Sequence, residues 1–268
     1  MTMSKSMPAT EREMLVIKLG GSILYSLSPQ FFESMAEMMK KYNAVIVHGG
    51  GPEITNMLEK LNIETTFING QRKTTEPVLE IAEMVLKGKV NSYLTNQLNS
   101  HGMKAVGLCG YDAHLLEAVL IDEESLGLVG EIEDVQNDLL TGMTSAGYLP
   151  VIAPLALTKE GTKVNVNADL AAASIAKAAG AGKLLYVTDV PGVLQDGEMI
   201  SEATAEEINQ LIGTGVISGG MIPKVKSALS VLSPSLKEVM IVGGQQAFFQ
   251  DGNILGTKIT EKGAVAAS

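Results

Sequence analysis

The chain has 268 residues, 46% of them hydrophobic and 19% charged, the balance of a globular protein with enough core for one large α/β domain or two lobes. Its formal charge of −10 argues against nucleic acid or an anionic membrane surface as the main partner, so the cations that meet any anionic substrate must be local. The single cysteine, Cys109, excludes an intrachain disulfide and suits the reducing cytoplasm.

Residues 1–13 are polar and irregular, lack an apolar signal-peptide core, and read as a flexible leader. Residues 14 to 19 form an apolar strand that carries Lys18 and runs into Gly20-Gly21. Ser28-Pro29 is an N-cap and N1 pair that opens an amphipathic helix reaching Lys41. Ala44 to Val47 is a second strand, followed by His48-Gly49-Gly50-Gly51 and a helix from Pro52 to Leu61. Asn69-Gly70 marks a turn, and Glu76 to Ser100 a long helical segment ended by Gly102. A short strand, Ala105 to Leu108, precedes two antiparallel strands, Leu115 to Ile121 and Leu128 to Ile132. Then come a helix from Asp138 to Ala146, a buried strand from Leu149 to Ala153 and a hairpin turn over Lys159 to Thr162. Leu170 to Ala179 is a small-residue helix closed by Gly180, and Leu184 to Thr188 a buried strand. Helices over Ala205 to Leu211 and Pro223 to Leu232 precede a core strand, Val239 to Val242, and an edge strand at Ile259. Strands alternating with helices imply a largely parallel sheet covered on both faces. The Gly/Ala-rich stretch Ala179 to Lys183 is the place to divide two lobes, and no apolar run approaches a membrane span.

The chemistry concentrates where strands meet glycines. A lone lysine in an apolar strand is costly unless an anion meets it, and backbone N–H groups at a helix N-terminus bind anions. One glycine turn is an ordinary connection, but two of them, one beside Lys18, point to a phosphate site. The standard nucleotide motifs fail. Gly180-Ala181-Gly182-Lys183 lacks the upstream glycine and the Ser/Thr of a P-loop, and no dinucleotide or protein-kinase signature is present. His48, His101 and His114 show no metal-ligand spacing, so no protein-built metal site is expected. Asn165-Val166-Asn167-Ala168-Asp169 places three short polar side chains before a helix. One reading is an N-cap with flanking turn residues, which explains one of the three; the other makes Asp169 an anchor for lysines and the two asparagines hydrogen-bond donors to a substrate. Gly219-Gly220 leads into a second helix with Lys224 in its first turn. Arg72, on the turn after Gly70, is by habit a surface residue or, beside glycine, a clamp for a carboxylate. Cys109 and His48 read as packed residues.

Taken in order and spacing, Lys18-Leu19-Gly20-Gly21, His48 to Gly51, Asn69 to Arg72, Asn165 to Asp169, Asp189-Val190-Pro191-Gly192-Val193-Leu194 and Gly219 to Lys224 resemble the amino-acid kinase family over nearly the whole chain. The resemblance implies a three-layer αβα sandwich with a mainly parallel central sheet and two lobes. Residues 14–180 would bind the acyl amino acid and dimerise, and residues 181–268 would hold ATP. It implies ATP- and Mg²⁺-dependent phosphorylation of the γ-carboxylate of N-acetyl-L-glutamate by a cytoplasmic homodimer. Lys18 and Lys224 would stabilise the transferred group, Asp169 would orient both, and Gly20, Gly21, Gly50 and Gly51 would supply backbone donors. Arg72, Asn165 and Asn167 would hold the acyl substrate. Asp189 to Leu194, with Val216, Ile217 and Ser218, would line the nucleotide. The family often has Gly-Lys-Asp-Gly-Gly where this chain has Gly110-Tyr111-Asp112-Ala113-His114, and the short leader implies a dimer without arginine feedback. Another acidic substrate of the same family, or a non-catalytic nucleotide sensor, is the alternative; Lys18, Asp169 and Lys224 together speak against the sensor.

Overall fold

A computed structural model describes residues 12–261. Residues 1–11 of the expected leader lie outside the described residues, and its last residue, Glu13, already begins the first strand. In chain order the elements are β1 (Glu13–Leu19), α1 (Pro29–Met38), β2 (Tyr42–His48), α2 (Gly51–Lys60), the hairpin β3 (Phe67–Ile68) and β4 (Gln71–Arg72), and α3 (Glu76–Glu83). A π-helical stretch, Met84–Asn91, joins α3 to α4 (Ser92–Ser100). There follow β5 (Ala105–Cys109), β6 (Leu116–Leu120), the one-turn α5 (Glu123–Leu126), β7 (Val129–Val135), α6 (Asn137–Ser145), β8 (Leu149–Ala153), β9 (Leu155–Leu157), β10 (Lys163–Val166) and α7 (Ala168–Ala178). The remainder is β11 (Lys183–Thr188), β12 (Leu194–Gln195), β13 (Glu198–Met199), β14 (Glu202–Thr204), α8 (Ala205–Gly213), α9 (Met221–Ser230), β15 (Glu238–Gly243), β16 (Phe249–Gln250), β17 (Asn253–Ile254) and β18 (Thr257–Thr260).

Local chemistry explains the boundaries. Ser28 caps α1 by accepting a hydrogen bond from the Phe31 amide at 3.2 Å, with Pro29 at the first helical position. Thr204 and Glu207 form a reciprocal capping box on α8. Gly102, Gly147 and Gly180 take positive φ just past helices, where a side chain would be strained. Asn69 and Gly70, both at positive φ, make the tight turn of the β3–β4 hairpin. The P-loop-like lysine, Lys183, starts β11 and lies 3.6 Å from Glu238 across the sheet.

The main sheet has eight strands in the order β14-β18-β15-β11-β1-β2-β8-β5. Strands β5, β8, β2, β1, β11 and β15 are parallel, and β18 reverses against β15. The expected edge position of Ile259 is not found. β18 is flanked by β14, a three-residue strand too short to carry a periodic signal, and Ile259 is fully buried. Alternate residues point to opposite faces. Leu15, Ile17, Ile46 and Leu185 pack with α1, α2 and the long helical segment, whereas Val16, Val45, Leu184 and Val239 pack with α6 to α9. Lys18 falls on the second face. Four further strands, β10-β7-β6-β9, close into a small barrel beside this sheet, of which the sequence suggested the β6–β7 pairing and the hairpin turn between β9 and β10.

The chain turns outward in one direction from β1 to β2 and in the other from β11 to β15. In parallel sheets, ligands bind beyond the carboxyl ends of the strands at such a reversal. The glycine turns after β1 and β2 lie there.

Candidate active site

The two glycine turns touch. A Cβ added to Gly21 would lie 3.0 Å from the Gly50 amide nitrogen and 3.1 Å from Pro52 Cδ, so only glycine lets them approach this closely. The Gly49 amide donates to the Leu19 carbonyl at 2.9 Å, tying the second turn to the first strand. The turn is fixed from behind by His48, which is fully buried. Its Nδ1 donates to the Gly49 carbonyl at 2.9 Å, and its Nε2 accepts from Asn91 Nδ2 at 3.0 Å. Burial pushes the His48 pKa down to about 4, so the ring is neutral. Gly51 faces open space, and α2 starts there with its N-terminus directed at the site.

On one side of this double turn lies a concavity of about 160 Å³ lined by Gly50, Gly51, Arg72, Asn165 and Asn167. Arg72, Asn165 and Asn167, expected to hold the acyl substrate, therefore share one pocket with two of the donor glycines, Gly50 and Gly51. Arg72 is only 6% exposed, which overturns the surface habit of a turn arginine. It donates to Thr65 Oγ1 at 2.9 Å, to Thr55 Oγ1 at 2.7 Å and to the Gly51 carbonyl at 3.0 Å, and stacks on Phe67. Burial lowers its pKa, and it forms no ion pair with a carboxylate among the described residues. Three engaged donors leave two of its five free for a ligand. Asn167 is the N-cap of α7, its Oδ1 accepting from Asp169 N at 2.8 Å and Leu170 N at 3.3 Å. Asn165 Nδ2 donates to Thr74 Oγ1 at 3.2 Å.

On the other side lies a cleft of about 300 Å³ lined by Lys18, Gly20, Gly21, Asp169, Tyr186 and Lys224, among others. Lys18 Nζ is 2.8 Å from Asp169 Oδ1. Lys224 pairs with Asp189 instead, and that contact holds the Asp189 carboxyl below its usual range. Asp169 thus contacts one of the two lysines it was expected to orient. The nucleotide segment divides. Val193 and Ile217 turn into the hydrophobic core, and Gly192 packs closely on Thr257 and Met199. Val190 and Pro191 lie against Gly243, Ser218 is exposed, and Leu194 and Val216 expose apolar surface. Val216 borders a separate concavity with Gln195, Glu207 and Leu211. Tyr186, which no sequence motif marks, is the one phenol of β11, where it follows Leu184 and Leu185.

No group of three or more His, Cys, Asp or Glu side chains suited to a metal ion occurs among the described residues. Asp169 and Asp189 are both engaged by lysines. Cys109 is buried, and burial raises its pKa to about 11, which makes it inert. No helix among the described residues is long and apolar enough to cross a membrane.

Two lysines held by carboxylates beside paired glycine turns, at the reversal point of a mainly parallel sheet, suit phosphoryl transfer. Residues 13–243 match the amino acid kinase family, and the chain belongs to it. The acetylglutamate kinase of Geobacillus stearothermophilus is 53% identical over 249 residues, spanning 92% of this chain and 96% of that protein. That of Bacillus subtilis (strain 168) is 49% identical over 251 residues, 93% and 97% of the two chains. Among solved structures, smu.665 from Streptococcus mutans UA159 superimposes with a TM-score of 0.79 at 30% identity, covering 93% of this chain and 99% of that one.

Proposed function

We propose that the chain transfers the γ-phosphoryl group of ATP to the γ-carboxylate of N-acetyl-L-glutamate, giving N-acetyl-L-glutamyl 5-phosphate, a step of arginine biosynthesis. The observation that carries this reading is the pair of clefts joined by the touching glycine turns. One holds an uncompensated arginine and the other two lysines. The relatives named acetylglutamate kinase support the choice of acid.

The acceptor carboxyl, with an ordinary pKa of about 4.3, is ionised at neutral pH and needs no general base. The obstacle is an anion approaching a polyanion. Lys18, Lys224, the α2 N-terminus and the glycine amides offset that charge as it spreads over the phosphoryl oxygens. Arg72 clamps a carboxylate of the substrate with its two unused donors, and Asn165 adds an amide. Mg²⁺ arrives with the nucleotide as part of the substrate. Acetylation keeps the substrate amine from attacking the acyl phosphate. Residues 14–180 take the acyl amino acid and residues 181–268 the nucleotide, whose base rests near Leu194 and Val216 and the backbone of Asp189 to Gly192. A homodimer is the expected assembly, and light scattering measures it.

The test is hydroxamate trapping: protein, ATP, Mg²⁺, N-acetylglutamate and hydroxylamine should give the coloured hydroxamate of an acyl phosphate. Colour with carbamate-forming mixtures or longer acids but none with N-acetylglutamate would move the chain elsewhere in the family. ATP binding without product on any acid would make it a sensor.

A further inference from the structure

Parallel pairing of β1 with β11 sets Tyr186 directly across from Lys18, on the face covered by α7 and α9. The tyrosine is 5% exposed, and Lys18 Nζ lies 5.8 Å from its ring centroid. Its hydroxyl is buried without a hydrogen-bond partner among the described residues. Ser227 of α9 is near enough to act against the rise in its pKa, yet the hydroxyl makes no hydrogen bond of good geometry. The residue lines the cleft that holds Lys18, Gly20, Gly21, Asp169 and Lys224. Burial, and then the charge of Asp169, raise the phenol pKa, so the group stays protonated and can donate.

A buried tyrosine hydroxyl ordinarily finds a partner, and one left alone is unfavourable. Phenylalanine would fill the same volume without that penalty. The hydroxyl is therefore explained by a ligand oxygen rather than by the fold. Lys18 beneath and Lys224 opposite make that oxygen anionic.

We propose that the Tyr186 hydroxyl donates a hydrogen bond to an oxygen of the transferred phosphoryl group, a third donor beside Lys18 and Lys224. The phenol adds direction where the lysines add charge. Its O–H sits on a rigid ring in a central strand, whereas Lys224 enters from a helix and can swing. The assignment rests on the phosphoryl-transfer reading and extends it to a residue outside the glycine and lysine motifs.

Tyr186→Phe deletes only the oxygen. The ligand-free variant should melt at or above the wild-type temperature, because no protein hydrogen bond is lost. Its kcat for N-acetylglutamate should fall at least about tenfold, less than the hundredfold usual for one preorganised donor because both lysines remain, with KM for the acid within about twofold. The thermal stabilisation given by Mg·ADP with aluminium fluoride, a mimic of the phosphoryl group in flight, should shrink. Wild-type kcat together with an unchanged stabilisation would overturn the proposal. So would a ligand-free variant that melts several degrees lower, since the hydroxyl would then have a structural partner. The aluminium-fluoride measurement needs no acid acceptor. A wild-type protein inactive on N-acetylglutamate yet stabilised through Tyr186 would sink the substrate assignment and leave this one standing.

Discussion

Lys18 and Lys224 reach the same cleft by different routes, one on a rigid central strand and the other on the first turn of α9. Each is held by its own carboxylate, Asp169 for the strand lysine and Asp189 for the helical one. In the proposed reaction a polyphosphate would compete with these carboxylates for the ammonium groups, so the ion pairs would position the lysines until the nucleotide arrives. Lys18→Ala and Lys224→Ala should each lower kcat about a hundredfold, the usual cost of one preorganised donor. Near-normal turnover in both would remove the mechanism. Arg72 belongs to the other pocket, and in the proposed reaction it would bind a group that does not change charge. Arg72→Ala should therefore raise KM for N-acetylglutamate and leave kcat nearly intact. The opposite split, measured by steady-state kinetics, would place the guanidinium at the reacting centre instead.

At the scale of elements, the glycine turn after β2 is braced by the π-helical stretch. That stretch ends on Asn91, whose amide nitrogen reaches His48 Nε2 at 3.0 Å and the Val151 carbonyl at 2.8 Å. Its Leu86 side chain packs where a Cβ on Gly50 would fall, 2.6 Å away. The wide turn lets one helix touch both the turn and two strands, which a regular helix would meet in a different phase. Asn91→Ala would strip His48 and Val151 of a donor. The expected loss is about 1–3 kcal/mol, read as a lower melting temperature, with a raised KM for the acid as the turn loosens. An unchanged melting temperature would show the bracing to be incidental. Such cross-chain bracing marks the limit of what the sequence discloses. Strands, glycine turns and caps are local, and they are legible: Ser28 reads as an N-cap in the sequence and is one. The burial of Arg72 depends on Thr55, Thr65 and Phe67 folding over a two-residue strand, and no periodicity announces that. The choice of Asp189 by Lys224 and the pairing of Tyr186 with Lys18 likewise exist only once β11 lies beside β1. The departure at Ala113 and His114 is intelligible in the same terms. Both residues take positive φ where the family pattern has glycines, and Asp112 ties the turn down through the Cys109 amide and Lys87. Tyr111 is held by Glu83, which also pairs with Lys163.

For the whole molecule, the same neutral histidine that anchors the site couples the fold to pH, while the chemistry is independent of it. In the unfolded chain His48 takes up a proton near pH 6.5; in the folded protein burial defers this to about pH 4. Between these values the unfolded state binds more protons, so stability falls as pH falls, by about 3 kcal/mol in total for a shift of this size. Above pH 6.5 the contribution is complete. Glu83 and Asp189 act later. Burial of Glu83 is outweighed by Lys163 and Tyr111, and Asp189 is held by Lys224, so both carboxyls titrate below their ordinary values. Their stabilisation is present above about pH 4.5 and is lost only as pH drops through the lowered values. Melting temperature should thus be flat from pH 8 to 7 and decline from about pH 6.5, well before the carboxylates protonate, and His48→Asn should flatten that decline. Turnover measured far below the melting temperature should show no step across the same interval, because the acceptor is already an anion and no side chain has to remove a proton. A kcat profile rising with an apparent pKa near 6.5 would demand a base. With His48 sealed from the cleft, it would also demand a different set of reacting groups.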